Sequence, residues 1–181
     1  MVTNPPFSVN LFPGQLRAPN LVHKVANALQ RHSLKPELLE LEVTETIALA
    51  NDDRSFEAMT ALRDLGVGIA FDDFGTGYAP LSSLQRYPLT TLKIDRGFVQ
   101  HINGRPSDLA ITRALVSLSR EMGLKTIAEG IETEEQERAL VELGCPFGQG
   151  YRYGKAVPFK SIVDLVAHSA SPPRQNCPIA S

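Results

Sequence analysis

The chain has 181 residues, of which 43% are hydrophobic and 21% charged, the composition of an ordinary globular domain. Its formal net charge of −2 excludes the basic surface that a long nucleic acid requires. Two cysteines placed as Cys145 and Cys177 are do not form a disulfide framework, and no apolar run approaches membrane-spanning length. Residues 1–6 lack the basic and apolar regions that are typical of a signal peptide. We therefore expect a cytoplasmic protein.

Short apolar runs rich in β-branched residues alternate along the chain with segments of helical periodicity. The pattern predicts strands at residues 7–11, 39–43, 67–71, 91–94, 125–128 and, more weakly, 147–151. It predicts helices at residues 20–31, 53–65, 79–86, 107–122 and 133–143, followed by a last helix at 159–168. From residue 169 the chain is rich in Ser and Pro, so residues 169–181 are expected to be a disordered tail.

Local signals at the helix ends agree with this division. Gly66, Gly123 and Gly144 each follow a helical pattern, where a helix commonly ends in a left-handed residue. Thr133 begins a capping-box pattern with a glutamine three residues later, and Ser107 is a candidate N-cap. Repeated strand–helix units of this kind predict an α/β fold with parallel strands, either an open doubly wound sheet or a closed βα barrel.

Polar side chains at the strand ends decide between these two architectures. Each predicted strand carries or directly precedes residues that can bind a metal or a phosphate: Asn10, Glu42, Asp72, Asp73, Lys93, Asp95, Glu129, Glu132 and Gln149. In an open sheet only the strands at a switch point contribute to a ligand site, whereas the strands of a barrel all end at one rim. The distribution therefore favours a TIM-type βα barrel.

The residue types at this rim indicate a site for hard divalent cations. Carboxylates with an asparagine and a glutamine supply only oxygen ligands, which suit Mg²⁺ or Mn²⁺, and converging carboxylates need cations to offset their repulsion. The adjacent carboxylates Asp72 and Asp73 suit two neighbouring metals, an arrangement that supports in-line displacement at phosphorus. Lys93 would orient the attacking water or offset charge on the phosphate. The expected chemistry is phosphodiester hydrolysis.

The residues alone leave several alternatives open. The glycine-rich stretch at residues 72–78 is compatible with an anion-binding loop, a mobile lid or a tight turn. Glu40 and Glu42 alternate along one strand, and one of the two could point outward into the helix layer. Asp95 and Arg96 are as compatible with a structural ion pair as with a role in the site.

Five multi-residue segments carry a resemblance to a known family. They are Glu42-Val43-Thr44-Glu45-Thr46, Asp72-Asp73-Phe74-Gly75-Thr76-Gly77-Tyr78, Leu92-Lys93-Ile94-Asp95-Arg96, Ala128-Glu129-Gly130-Ile131-Glu132-Thr133 and Gln149-Gly150-Tyr151, and Asn10 matches a sixth, shorter segment. In this order they resemble the motifs of EAL domains, bacterial phosphodiesterases that linearise cyclic di-GMP to pGpG with two magnesium or manganese ions in a barrel. The resemblance covers about residues 7–165.

The resemblance also implies roles for individual residues. The implied metal ligands are Asn10, Glu42, Asp72, Asp73 and Glu129. Lys93 is implied to lie near the catalytic water and to act in catalysis together with Asp73 and Glu132. The groups implied to contact or support the ligand are Gln149, Asp95, Gly75, Thr76 and Glu45, the last by steadying the loop that begins at Asp73.

One departure from the family changes the expected architecture. EAL domains have two strands before the Val-Asn-Leu segment, and the second carries the Glu-Ala-Leu signature, whose glutamate is a metal ligand. Neither strand precedes Asn10 here. We therefore expect an incomplete barrel with about six of eight strands and an EAL-type domain over residues 1–168 without that signature. Such a chain is expected to work as a homodimer or as the regulatory domain of a longer protein.

Three functions compete for this sequence. The first is a cyclic di-GMP phosphodiesterase, and the second is a receptor that binds cyclic di-GMP without hydrolysing it. The third is a degenerate interaction module that needs no ligand. Retention of the later ligand residues argues against the third function, whereas the missing glutamate favours the second for this polypeptide.

Overall fold

The structure, a computed structural model, describes residues 7–45, 47, 52–75, 77, 81–158 and 161–162. In this part of the chain six β-strands form one parallel sheet, and their order in the sheet equals their order in the chain. The strands are β1 (Phe7–Leu11), β2 (Leu39–Thr44), β3 (Gly68–Phe74), β4 (Thr91–Ile94), β5 (Lys125–Ala128) and β6 (Phe147–Gly148). The predicted α/β fold is confirmed: the sheet order has no switch point, unlike an open doubly wound sheet, and is that of consecutive strands in a TIM-type barrel.

Helices connect the consecutive strands. They are α1 (Pro13–Leu16) and α2 (Leu21–Arg31) after β1, α3 (Asp53–Asp64) after β2, α4 (Ser82–Arg86) after β3, α5 (Arg96–Gln100) and α6 (Pro106–Glu121) after β4, and α7 (Glu134–Glu142) after β5. A 3₁₀ turn, Pro36–Leu38, leads into β2. None of the helices that the structure describes is long and apolar enough to cross a membrane.

The element boundaries agree with the predicted ones except in a few places. Gly66, Gly123 and Gly144 have φ angles of 94°, 69° and 77°, which confirms them as left-handed residues after helices. The capping box that begins at Thr133 is also confirmed. The prediction of Ser107 as N-cap is wrong, because Pro106, with its preset φ, already occupies the first turn of α6.

Two short helices, α1 and α5, were not predicted, and β6 ends at Gly148, before the predicted residue 151. Most of the predicted last helix at residues 159–168 and the whole predicted tail at 169–181 lie outside the described residues.

The two faces of the sheet differ in polarity because successive residues of a strand point to opposite sides. One face packs against the helices and is apolar; its buried members include Leu41, Val43, Ile69, Phe71, Leu92 and Ile94. The inward face carries both Glu40, which accepts a hydrogen bond from Thr91, and Glu42, which pairs with Lys93. The hypothesis that one of these glutamates points into the helix layer is wrong, because residues two apart in a strand share a face.

Phe71 is the centre of an aromatic cluster between the sheet and the helices. Its side chain is 0% exposed, and its ring stacks on Phe74 at a centroid distance of 6.1 Å. The ring of Tyr87 lies tilted against it at 5.8 Å. Because Asp72 and Asp73 come directly after Phe71 in β3, this cluster anchors the strand that presents both carboxylates.

Replacing Phe71 should destabilise the fold through a cavity. We expect Phe71→Ala to lower the free energy of unfolding by about 3–5 kcal/mol, the usual loss for a buried phenylalanine, measured by chemical denaturation. The matched control is Phe12→Ala, since Phe12 is 71% exposed and its loss should stay within about 0.5 kcal/mol. Equal losses for the two variants would contradict the assignment of Phe71 to the core.

Candidate active site

A single lysine lies among three carboxylates at the carboxyl ends of the strands. Lys93, in β4, is 3% exposed. Its Nζ atom lies 2.8 Å from Glu42 Oε1, 3.0 Å from Asp72 Oδ1 and 2.6 Å from Glu129 Oε1. Glu42 comes from β2 and Asp72 from β3, and Glu129 directly follows β5. Four consecutive strands thus supply one cluster, as the barrel rim predicts.

The charges of this cluster do not cancel, because one ammonium faces three carboxylates. Burial alone would lower the pKa of Lys93, but hydrogen bonds to Glu129 and Glu42 outweigh it and raise that pKa, so the ammonium stays charged. Burial raises the pKa of Glu129, and the charges of Asp72 and Glu42 add to the rise while Lys93 opposes it. The cluster therefore has an excess of negative charge.

A bulge brings a further carboxylate to the same place. The pairing of β3 with β4 shifts between Phe71 and Phe74, and Asp73 has a φ of 54°. In a regular strand Asp73 would point away from Asp72, but here one oxygen each of Asp72, Asp73 and Glu129 lie within 4.8 Å of one another. Burial and the charges of Asp72 and Asp95 raise the pKa of Asp73. Aspartate tolerates the left-handed conformation better than most residues.

The donor set fits a divalent cation. Asp72 Oδ1 is buried and receives no hydrogen bond of acceptable geometry within the described part of the chain, although Lys93 Nζ is close. Three carboxylates with oxygens a few ångströms apart are the ligands that Mg²⁺ and Mn²⁺ prefer. Asn10 lies opposite Glu42 in the register of β1 and β2, on the same inward face. Gln149 donates from Nε2 to Glu129 Oε1 at 2.5 Å, the same oxygen that Lys93 contacts, and so helps to hold that carboxylate.

Glu45 ties the end of β2 to the glycine-rich loop. The buried Glu45 accepts a hydrogen bond at Oε2 from the backbone N–H of Gly77, over 2.8 Å. Gly75 has a φ of 96°, and a Cβ there would lie 3.1 Å from the ring of Phe98. A side chain at Gly75 would therefore be strained in both backbone and packing. Thr76 lies outside the described residues.

Two of the predicted site residues lie beside the lysine cluster and not in it. Asp95 caps α5 by accepting from the N–H of Gly97 at 2.8 Å, and its charge acts on Asp73. No ion pair joins Asp95 to Arg96 among the residues described. Glu132 is exposed and lines a cavity of about 290 Å³ together with Glu129 and Gln149. Arg96 lines the same cavity; it belongs to the motif of residues 92–96 but was not among the predicted site residues.

Removal of the lysine should uncover the repulsion among the carboxylates. We expect Lys93→Met to lower the free energy of unfolding by about 3–5 kcal/mol near neutral pH in metal-free buffer, because buried charges lose their partner. Glu129 has a raised pKa in the folded state, so its protonation favours folding below that pKa and its charge opposes folding above it. The loss should therefore shrink as the pH falls through the pKa of Glu129.

Denaturant unfolding of both proteins across this pH range checks the prediction. The control is Lys24→Met, because Lys24 is exposed on α2 and its removal should change stability little at any pH. A loss for Lys93→Met that is the same at acidic and neutral pH would contradict the charge argument.

The sequence matches the EAL domain family over residues 3–156. It is 46% identical over 160 residues to a Pseudomonas aeruginosa protein named bifunctional diguanylate cyclase/cyclic di-GMP phosphodiesterase MucR. The matched region covers 88% of this chain and 23% of that protein, so the chain spans about a quarter of the length of this relative.

Solved structures of relatives share the fold. A structure described as PaMucR phosphodiesterase in complex with c-di-GMP has a TM-score of 0.82 and 45% sequence identity, over 87% of this chain and 64% of that chain. Klebsiella pneumoniae BlrP1, in a complex with manganese and cyclic di-GMP, has a TM-score of 0.77 and 33% identity, over 81% of this chain and 38% of that chain. A divalent cation and a cyclic dinucleotide are thus held by proteins with this arrangement of strands.

Proposed function

The chain belongs to the EAL domain family, and from that premise we propose that it hydrolyses cyclic di-GMP to pGpG as a phosphodiesterase. The observation that carries the proposal is the convergence of Glu42, Asp72 and Glu129 on Lys93, with Asp73 turned to the same rim by the bulge. A cluster with excess negative charge and only oxygen donors suits cations that bind a phosphodiester.

We propose that two divalent cations, magnesium or manganese, bind in this cluster. The residues that would hold them are Asn10, Glu42, Asp72, Asp73 and Glu129. When bound, such cations lower the pKa of a coordinated water and offset charge on the phosphate. If the carboxylates of Glu42, Asp72 and Glu129 were shared with a cation, the ammonium of Lys93 would be available to a water or to a phosphate oxygen.

The remaining residues of the site position these groups. Gln149 fixes the carboxylate of Glu129, and Glu45 fixes Gly77 and with it the far end of the loop that begins at Asp73. Asp95 caps α5 beside Asp73, and Gly75 allows the close approach of the loop to Phe98. Glu132, from the neighbouring cavity, would act on the ligand together with Lys93 and Asp73. For Thr76 the proposed contact with the ligand rests on the family motif alone.

The activity is tested by incubating the purified chain with cyclic di-GMP and Mn²⁺ and following pGpG by chromatography. We expect product with the natural sequence and a rate at least about 100-fold lower for Glu129→Gln, because this change removes a charged ligand of the cluster. The control is Glu142→Gln, an exposed residue at the end of α7, which should leave the rate unchanged.

The outcomes separate the proposed functions. Tight binding of cyclic di-GMP without product would overturn hydrolysis and favour the receptor. A chain that keeps its helical circular dichroism and binds no cyclic di-GMP would overturn both and favour the interaction module.

Cation binding is tested independently of activity, by measuring the melting temperature with and without Mn²⁺. Saturating Mn²⁺ should raise the stability of the natural chain by about 2.7 kcal/mol when its concentration is about 100 times the dissociation constant. We expect Asp72→Asn to lose most of this rise, since it removes one negative charge from the three carboxylates whose oxygens lie within 4.8 Å of one another. Asp64→Asn, at the exposed end of α3, is the control. An unchanged rise in Asp72→Asn would contradict the assigned site.

The context of the domain is also a proposal. We infer that residues 1–168 work as an EAL-type domain of a longer cytoplasmic protein or as a homodimer. The support for a longer protein is that the matched region is 23% of the relative named above. The disordered tail at residues 169–181 stays a prediction.

A further inference from the structure

We propose that Gln136 is a positioning residue that holds the segment of residues 129–133 against α5 and thereby fixes Glu132 at the edge of the site. The inference rests on the proposed function, since it concerns how that site is held together. Gln136 is in the first turn of α7 and does not itself line the cavity beside Glu129.

The contacts of Gln136 go beyond those of a helix cap. Its side-chain Oε1 accepts hydrogen bonds from the backbone N–H groups of both Glu132 and Thr133, at 2.8 Å and 3.0 Å. A capping box requires only the bond from Thr133. The additional bond fixes the peptide of Glu132, one residue outside the helix. The Nε2 atom points to the backbone carbonyl of Gln100, at 3.5 Å, in the last turn of α5.

Burial supports a role between two elements. Gln136 is 8% exposed, whereas its helix neighbours Glu134, Glu135 and Arg138 are exposed. A glutamine that only capped a surface helix would remain in solvent, as Glu134 and Glu135 of the same turn do. The side chain is instead enclosed between α7 and α5, so its hydrogen bonds act in a region of low water content, where an unmatched polar group is costly.

The same segment is also fixed at its other end. Gly130 has a φ of 71°, and a Cβ at this position would lie 2.5 Å from Cβ of Arg96, which is closer than real contacts allow. The backbone of residue 130 therefore rests directly on the first turn of α5. Backbone hydrogen bonds from Glu129 N to Ile94 O, at 3.0 Å, and from Ile131 N to Gln149 O, at 3.1 Å, join it to β4 and to the residue after β6.

The packing of Gly130 on α5 and the hydrogen bonds of Gln136 hold different parts of this segment, and Gln136 holds the part that contains Glu132. Glu129 is held by the sheet and by Gly130, but Glu132 is three residues farther along, where the chain leaves the sheet for α7. The peptide of Glu132 is bound by Gln136 Oε1. If that bond is lost, Glu132 can shift relative to Glu129 and Lys93 although the sheet itself is unchanged. A small displacement of a catalytic group has a large effect on rate.

Two substitutions separate the parts of this contact. Gln136→Ala removes all of its side-chain hydrogen bonds. Gln136→Glu keeps an acceptor for the N–H groups of Glu132 and Thr133, but it replaces the donor toward Gln100 by a charged oxygen that the carbonyl of Gln100 repels. The matched control is Glu142→Ala, at the exposed end of the same helix. All are made in the full chain, and amide hydrogen exchange, melting temperature and the kinetics with cyclic di-GMP and Mn²⁺ are compared.

For Gln136→Ala we expect the amides of Glu132 and Thr133 to exchange about five to ten times faster, the effect of losing a cap hydrogen bond. We expect kcat to fall roughly tenfold with little change in KM, because Glu132 is displaced while the cation ligands stay in place. Gln136→Glu should restore the slow exchange and bring kcat back to within about threefold of the natural chain, because the acceptor is kept. The control should match the natural chain in each measurement.

The results test the role of Gln136 separately from the proposed phosphodiesterase activity. Unchanged exchange of the Glu132 amide in Gln136→Ala would overturn the inference, whatever the activity. Faster exchange with an unchanged kcat would make Gln136 a helix cap only and would also overturn it. A natural chain that neither hydrolyses nor binds cyclic di-GMP fails the proposed function, and the exchange comparison of the two variants then still decides whether Gln136 holds the segment.

Discussion

The ammonium of Lys93 among the carboxylates of Glu42, Asp72 and Glu129 is the interaction on which the rest of the structure depends. Buried charges are stable only when charges of opposite sign lie close to them. The cluster around Lys93 therefore requires the carboxyl ends of four neighbouring strands to lie at the same level of the sheet. The parallel register meets that requirement, since Glu42 lies opposite Asn10 and Ala70, and Lys93 opposite Ile127. Packing of the helices on the apolar face of the sheet keeps the strands in this alignment, and their polar ends therefore meet.

The bulge in β3 brings two adjacent aspartates, Asp72 and Asp73, to the same site, which a regular strand cannot do. Consecutive strand residues point to opposite faces, so two adjacent aspartates serve one site only if the backbone turns between them. The positive φ of Asp73 is that turn, and Phe74 returns to the register beside Ile94. Glu45 and Gln149 then hold the segments on either side. The rim is thus built from a rigid sheet with one local irregularity.

The sequence predicted much of this arrangement and failed where the backbone departs from regular geometry. Strands β1, β4 and β5 were predicted with their observed bounds because their apolar runs are short and sharply ended. The rim residues were found because strand ends are visible in the pattern. Asp73 was placed at this rim together with Asp72, but the bulge that turns it there was not predicted, since a bulge depends on pairing with β4. Helix α5 was missed because five residues give no helical period, and Gln136 was seen only as a cap because its contact with Gln100 joins distant segments.

The alternation of β2 has a consequence for how the chain folds. Glu40 and Glu42 lie on one side of this strand and Leu41 and Val43 on the other, and all four are buried. A slip by one residue would place two carboxylates against the helices and two aliphatic side chains against Lys93 and Thr91. Such a misaligned state would be unstable because both faces of the strand would meet the wrong environment. The same alternation that brings Glu42 to the rim therefore also specifies the register of the strand.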